Sequence, residues 1–264
     1  IMYIRSLARK TDLIFHKFEG EVLDRGTYTA IKTKSNPTYH WGNYLIFDSA
    51  PTLTDIDRWP EIFAKEFDYL KSPSHRLFTW NPAPASDDVI KRFESLGFKY
   101  EKSVVLATSQ LEAPARKNPS DMRKLVTDAD WEQAIQLQIL CRGSMYEIKS
   151  YEIFKRRQFE MFRKMVDEGI GNWFGAFEGG KLIGDLGLFH NKKLARFQNV
   201  GTHPDHRKQA VCANLVYFAG SVALNDWKVE KLVMEADPDY HAARVYQSVG
   251  FVAVEENFGF YSVT

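Results

Sequence analysis

The chain has 264 residues, 44% hydrophobic and 26% charged, which is the composition of a soluble globular protein and not of a disordered or fibrous one. Lys plus Arg number 35 and Asp plus Glu 34, a formal net charge of +1, so no broad cationic field exists for nucleic acid or an anionic membrane. Two cysteines, Cys141 and Cys212, are too few for a disulfide framework or a four-thiolate zinc site, and both sit in apolar, helix-like stretches. No uncharged apolar run approaches the ~20 residues of a membrane-spanning helix. Arg5 and Arg9 interrupt the place of an apolar signal core, and the expected location is the cytoplasm.

In chain order, the first half predicts a helix near Asp57–Ser72, a short strand HRLFTW, a helix from Ser86 to Leu96 ending at Gly97-Phe98, and a strand KYEKSVVLATS. The stretch TSQLEAPARKNPSDM, with two prolines and mixed polar residues, reads as a linker. Helices follow at 128–143 and 150–168, the second burying Phe154, Met161, Phe162, Met165 and Val166 on one face. NWFGAFE and KLIGDLGLFH flank Gly179-Gly180 as a hairpin, and Asn191-Lys192-Lys193 turns into the strand LARFQNVGT. A helix from about His206 to Asn225 carries Val211, Leu215, Ala219 and Val222 as its buried stripe. LVMEA is a buried strand, and Asp237-Pro238 caps a helix that runs through Val245 and ends near Gly250. Two strands, near Val252 and at Phe258–Val263, close the chain.

Gly97-Phe98 and Gly250-Phe251 hold equivalent places, each after a strand–helix unit and before a closing strand. This ordered match predicts two related domains, residues 1–110 and 120–264, joined by a linker at 111–119. The most informative segment is NVGTHPDHRKQAVCANLV, residues 199–216. There a strand ends, a turn forms around Pro204-Asp205, and a helix begins near Arg207. Exposed amides at that start, beside Arg207 and Lys208, make a local anion site, and bases at a helix N-terminus otherwise oppose the dipole.

These residues resemble the GNAT superfamily of acetyl-coenzyme A-dependent N-acetyltransferases. The family signature is Gln or Arg, two residues, Gly, one residue, then Gly or Ala; Arg207, Lys208, Gln209, Ala210, Val211 and Cys212 occupy those places. A second signature, commonly Asn, Ala, Tyr and Gly-Phe, is matched by Asp239, Ala242, Tyr246 and Gly250-Phe251. The resemblance implies an α/β (α+β) fold of two GNAT-like domains, each a mixed, mainly antiparallel central sheet flanked by helices. It also implies acetyl-coenzyme A as co-substrate, with the backbone of Val200, Gly201 and Thr202 along the pantetheine arm and the amides of residues 207–212 around the pyrophosphate. Asp239 and Ala242 would complete the coenzyme site. Tyr246 would be the general acid for the departing thiolate, and a phenol near pKa ~10 is well matched to a thiol near ~8.5. A methyl at Ala210 fits only where φ is negative, and Cys212 is bulkier than the family's second small residue.

The amine must lose a proton, and Asp185, on a strand beside the presumed cleft, is the candidate base, with Glu235 a second carboxylate nearby. His203, His206 and Cys212 match no zinc spacing, so no metal is expected. The first half resembles a domain without the coenzyme equipment. Phe93 stands where Tyr246 does, and TLTDIDRWPEIF brings Asp55, Asp57 and Glu61 with one base, Arg58, to the place of the anion loop. The expected function is transfer of an acetyl group to an amine of a small molecule or peptide by direct attack, in a monomer or homodimer with no nucleic-acid or membrane partner. The competing reading is a coenzyme-binding or structural protein that acts through a partner surface.

Overall fold

A computed structural model describes residues 4–70, 75–143, 147–237 and 242–263. Its elements in the first half are α1 (Leu7–Glu19), β1 (Glu21–Asp24), β2 (Tyr28–Lys32), β3 (Asn43–Phe47), α2 (Asp55–Glu66), β4 (His75–Trp80), α3 (Asp87–Ser95) and β5 (Lys99–Thr108). Then come β6 (Asp121–Lys124), α4 (Asp128–Leu140), α5 (Ile148–Asp167), β7 (Gly171–Glu178), β8 (Lys181–His190) and β9 (Leu194–Thr202). The chain ends with α6 (Val211–Asn225), β10 (Lys231–Ala236), α7 (Ala242–Gln247) and β11 (Val252–Val263). The fold is mixed α/β with mostly antiparallel strands flanked by helices. No described helix is long and apolar enough to cross a membrane.

The chain divides into two compact units, one of residues 1–105, 235–238 and 254–264, the other of residues 106–234 and 239–253. This differs from the linear division at 111–119. The last strand belongs to the first unit because Phe258 to Val263 pair antiparallel with Trp80 to His75, which places Phe258 and Phe260 in that unit's core. Strands near Val252 and at Phe258–Val263, expected as two, are one.

In the first unit the strand order is β1-β2-β3-β4-β11-β5, with β3 and β4 parallel. Its core is aromatic: Phe47 stacks on Trp59 at 3.7 Å and Phe93 on Phe260 at 4.2 Å. In the second unit the order is β10-β9-β8-β7-β6, and β7, β8 and β9 form an antiparallel meander. Gly179 and Gly180, at φ 56° and 80°, make the two-residue β7–β8 turn. Trp173 of β7 lies 4.5 Å from Phe159 and 4.9 Å from Phe162 of α5, the centre of this core. Thr127 caps α4 by accepting from the Asp130 backbone, and Arg123 holds the Asp130 carboxylate with two 2.8 Å bonds.

Both glycine ends of the presumed repeat have the same geometry. Gly97 and Gly250 are left-handed, at φ 84° and 97°. The following Phe98 and Phe251 amides each donate 3.2 Å bonds back to the carbonyls of Phe93 and Tyr246.

Candidate active site

The β9–α6 connection differs from the continuous helix predicted from about His206. Pro204–His206 form one short 3₁₀ turn, and α6 starts only at Val211. Lys208 and Ala210 both lie in the left-handed region, at φ 60° and 61°. Ala210 therefore adopts the conformation that glycine would take freely, not the negative φ its methyl favours. The turn is held by its carbonyls. Arg116 Nη1 donates to Lys208 O at 3.1 Å, and Asn118 Nδ2 donates to Gln209 O at 2.9 Å. Ala210 O accepts from the amide and the side chain of Asn214, at 3.1 and 2.8 Å.

With the carbonyls so engaged, the backbone N–H groups of Lys208, Gln209, Ala210, Val211 and Cys212 donate to no described residue. Successive free amides at left-handed positions, at the start of a 15-residue helix, form a concave site for an anion. Arg207 and Lys208 are exposed beside it. Gly184 of β8 lets α6 approach closely, since a Cβ there would stand 2.7 Å from Val211 Cγ1. Cys212 leaves part of its surface to solvent but buries its thiol, whose pKa burial pushes up to about 12, so it is an inert filler. Cys141 Sγ donates to Thr202 O at 3.4 Å, and its thiol is also pushed up by burial.

The strand leading to this turn is open along one edge. β9 pairs in parallel with β10 only from Leu194↔Lys231 to Arg196↔Val233. On its other edge the β8 register shifts between Asp185↔Gly201 and Gly187↔Gln198, so Asn199 and Val200 together face Leu186 in a bulge. Asn199 is left-handed, at φ 48°. Gly201 and Thr202 thus lie between the bulge, which includes Val200, and the turn before α6.

Asp185 is placed differently from a cleft-facing base. It is 0% exposed, its Oδ2 accepts from Trp173 Nε1 at 2.9 Å and its Oδ1 from Gln138 Nε2 at 2.8 Å. Burial pushes its pKa up to about 7, against those hydrogen bonds and the charge of Lys155. Gly201 makes room for the pair, as a Cβ there would lie 2.8 Å from Asp185 Oδ1 and 2.9 Å from Gln138 Nε2. Glu235 falls in the first unit, where it accepts from Arg9 Nη2 and Ser103 Oγ, each at 2.5 Å.

Tyr246 is buried on α7, which packs against α6, with its ring 6.4 Å from Phe251. Ala242 opens that helix. Pro238, Asp239 and His241 lie outside the described residues. Arg116, Asn118, Gln138, Lys155 and Gln158 are participants that sequence reading did not single out. The legible signal was Lys155 and Gln158, two polar residues one turn apart among the buried apolar positions of α5.

Residues 141–263 match the family profile described as "Acetyltransferase (GNAT) domain". Among solved structures, a functionally unknown conserved protein from Staphylococcus epidermidis aligns with TM-score 0.76 and 12% identity, over 94% of this chain and 95% of that one. A GCN5-related N-acetyltransferase from Kribbella flavida aligns with TM-score 0.68 and 12% identity, over 99% and 96%. A tandem GNAT protein from the clavulanic acid biosynthesis pathway gives 0.54 and 16%, over 83% and 75%. At these identities the structures show a shared fold. No curated protein matches the sequence.

Proposed function

We propose that the protein transfers an acetyl group from acetyl-coenzyme A to an amine, at one site in the second unit. The observation that carries this reading is the run of free backbone amides from Lys208 to Cys212 at the end of an open strand edge. Five N–H groups with no partner among the described residues fit the oxygens of a pyrophosphate, and Arg207 and Lys208 add charge to a chain whose net charge is only +1. The unpaired edge of β9 offers hydrogen bonds to the amide groups of a pantetheine arm running from the turn back toward the bulge.

Acetyl-coenzyme A supplies a thioester already activated toward an amine. The chain's own contribution is to orient the two reactants and move protons. Tyr246 gives its phenolic proton to the departing thiolate, the amine nitrogen releases its proton to water as the amide forms, and the tyrosinate regains a proton from water. Asp185 has no face toward solvent, so it acts on the site through Gln138 and the backbone of β9 rather than by touching the amine.

Calorimetric titration with acetyl-coenzyme A tests the binding half, with one site per chain expected at micromolar affinity, about −8 kcal/mol. Two sites would overturn the view of the first unit, and none at millimolar coenzyme would overturn the reading itself. Tyr246→Phe tests the chemistry. Coenzyme affinity should persist while thiol release with a panel of primary amines falls by ~10²–10⁴. Unchanged turnover would remove Tyr246 from the mechanism.

A further inference from the structure

Two of the ionisable groups buried in the second unit, Lys155 and Asp185, are joined by a continuous line of amides that passes through the bulge. Lys155 Nζ donates to Gln158 Oε1 at 2.9 Å, and the same oxygen accepts from Asn199 Nδ2 at 3.0 Å. The Asn199 carbonyl accepts from Gln138 Nε2 at 2.8 Å, and that nitrogen also donates to Asp185 Oδ1. Trp173 Nε1 closes the line on Asp185 Oδ2.

The polarity of this line is set at its ends. An ammonium has donors only, so Gln158 must turn its oxygen to Lys155, which leaves that oxygen as the acceptor for Asn199. A carboxylate has acceptors only, so Gln138 must turn its NH₂ to Asp185, and the second hydrogen of that group meets the Asn199 carbonyl. Asn199 is thereby gripped by side chain and by backbone. The rings of Tyr151 and Phe154 lie 5.6 and 5.4 Å from Lys155 Nζ and share in holding the buried charge.

We propose that Gln158 and Gln138 are positioning residues that lock Asn199 in its left-handed conformation, and with it the bulge that receives the acetyl end of the coenzyme. Lys155 and Asp185 fix the direction of the two glutamines. This rests on the coenzyme reading above, since the pantetheine arm must run from the anion turn toward the bulge. It separates two parts of coenzyme affinity: the anion turn binds coenzyme A whether or not it is acetylated, whereas the bulge contributes only to the acetylated form.

The test compares the affinities of coenzyme A and acetyl-coenzyme A by calorimetry on the full chain. Gln158→Ala should leave the coenzyme A affinity within about two-fold and weaken acetyl-coenzyme A by about ten-fold, the scale of one hydrogen bond. Asn199→Gly should behave as the wild type, because glycine takes a positive φ without help. In that background Gln158→Ala should have no further effect. Gln158→Glu keeps an acceptor for both Lys155 and Asn199, and should retain the wild-type preference even where the alanine variant fails to fold.

An equal loss from Gln158→Ala in both backgrounds would overturn the proposal, as would an unchanged preference in the single variant or a lost one in Gln158→Glu. A wild type that binds neither ligand would overturn the coenzyme reading and this inference with it. A wild type that binds both, with Gln158→Ala unaltered, would overturn this inference alone.

Discussion

Ala210 shows how much one dihedral decides. Its place in the signature was legible, but its φ of 61° was not, because the conformation is imposed by Asn214, Asn118 and Arg116 pulling on the carbonyls of residues 208–210. Side-chain grips from a segment nearly a hundred positions away leave no local pattern to read. An L-residue with a Cβ costs about 1 kcal/mol in the left-handed region, and glycine there costs little. Ala210→Gly is therefore expected to raise the melting temperature by about 2–4 °C without weakening coenzyme binding. A lower melting temperature would mean that the alanine methyl makes packing contacts worth more than the strain. Asp185 gives the complementary lesson. Its presence on a strand near the site was legible, but its burial was not, since that depends on Trp173 and Gln138 arriving from β7 and α4.

Among the elements, the helices from α2 onward and the glycine-bounded hairpin were readable, whereas α1 and β1 to β3 were not. For β2 and β3 the reason is burial on both faces. All five residues of β3 and four of the five in β2 are buried, so no polar–apolar alternation marks them. The start of α6 was placed about five residues early because the basic turn before it has helical composition but irregular dihedrals. The first residue of β4, His75, was not singled out, yet it carries a pH-dependent share of stability. It is 1% exposed, stacks on His40 at 4.2 Å, and its Nε2 meets Asn43 O at 2.7 Å. Burial first, then the neighbouring His40, pull its pKa down to about 4. The unfolded chain takes up this proton near the ordinary pKa of 6.5, so the stabilisation is complete above that pH and is lost as pH falls toward 4. Asp185 acts in the opposite sense, because its pKa is raised from 3.8 to about 7 and its contribution declines as pH rises through that interval. The His75 effect must therefore be read against His75→Gln, which keeps a donor for Asn43. Between pH 7 and pH 5 the wild type should lose about 2 kcal/mol relative to that variant in urea unfolding. A constant difference would show that folded and unfolded chains protonate His75 equally over this range.

At the scale of the whole chain, the order of residues and the order of packing diverge. Sequence reading placed the closing strand in the second half because it follows α7, and nothing local says otherwise. The pairing of Phe258–Val263 with β4 is a contact between residues far apart in sequence, chosen by the aromatic surface that β4 and α3 present. Phe260 meets Phe93, Trp80 and Tyr100 at ring distances of 4.2, 5.2 and 5.5 Å, and is 0% exposed. The first unit places other residues at the positions that the sequence match pairs with the proposed site. Phe93, at the position corresponding to Tyr246, is walled in by Phe260, and the loop corresponding to the anion turn ends in Asp55, whose carboxylate already accepts from the amide and hydroxyl of Thr52. If the C-terminal strand is an integral part of the first unit's core, Phe260→Ala should cost about 3–5 kcal/mol of unfolding free energy, the range for a large aromatic removed from a core that cannot collapse. Coenzyme affinity should be untouched, since Phe260 belongs to the core of the first unit and the anion turn to the second. A cost below about 1 kcal/mol in urea unfolding would mean that the strand merely lies against a unit complete without it. A full-sized cost with intact coenzyme binding would show that residues 258–263 stabilise the first unit without taking part in the proposed coenzyme site.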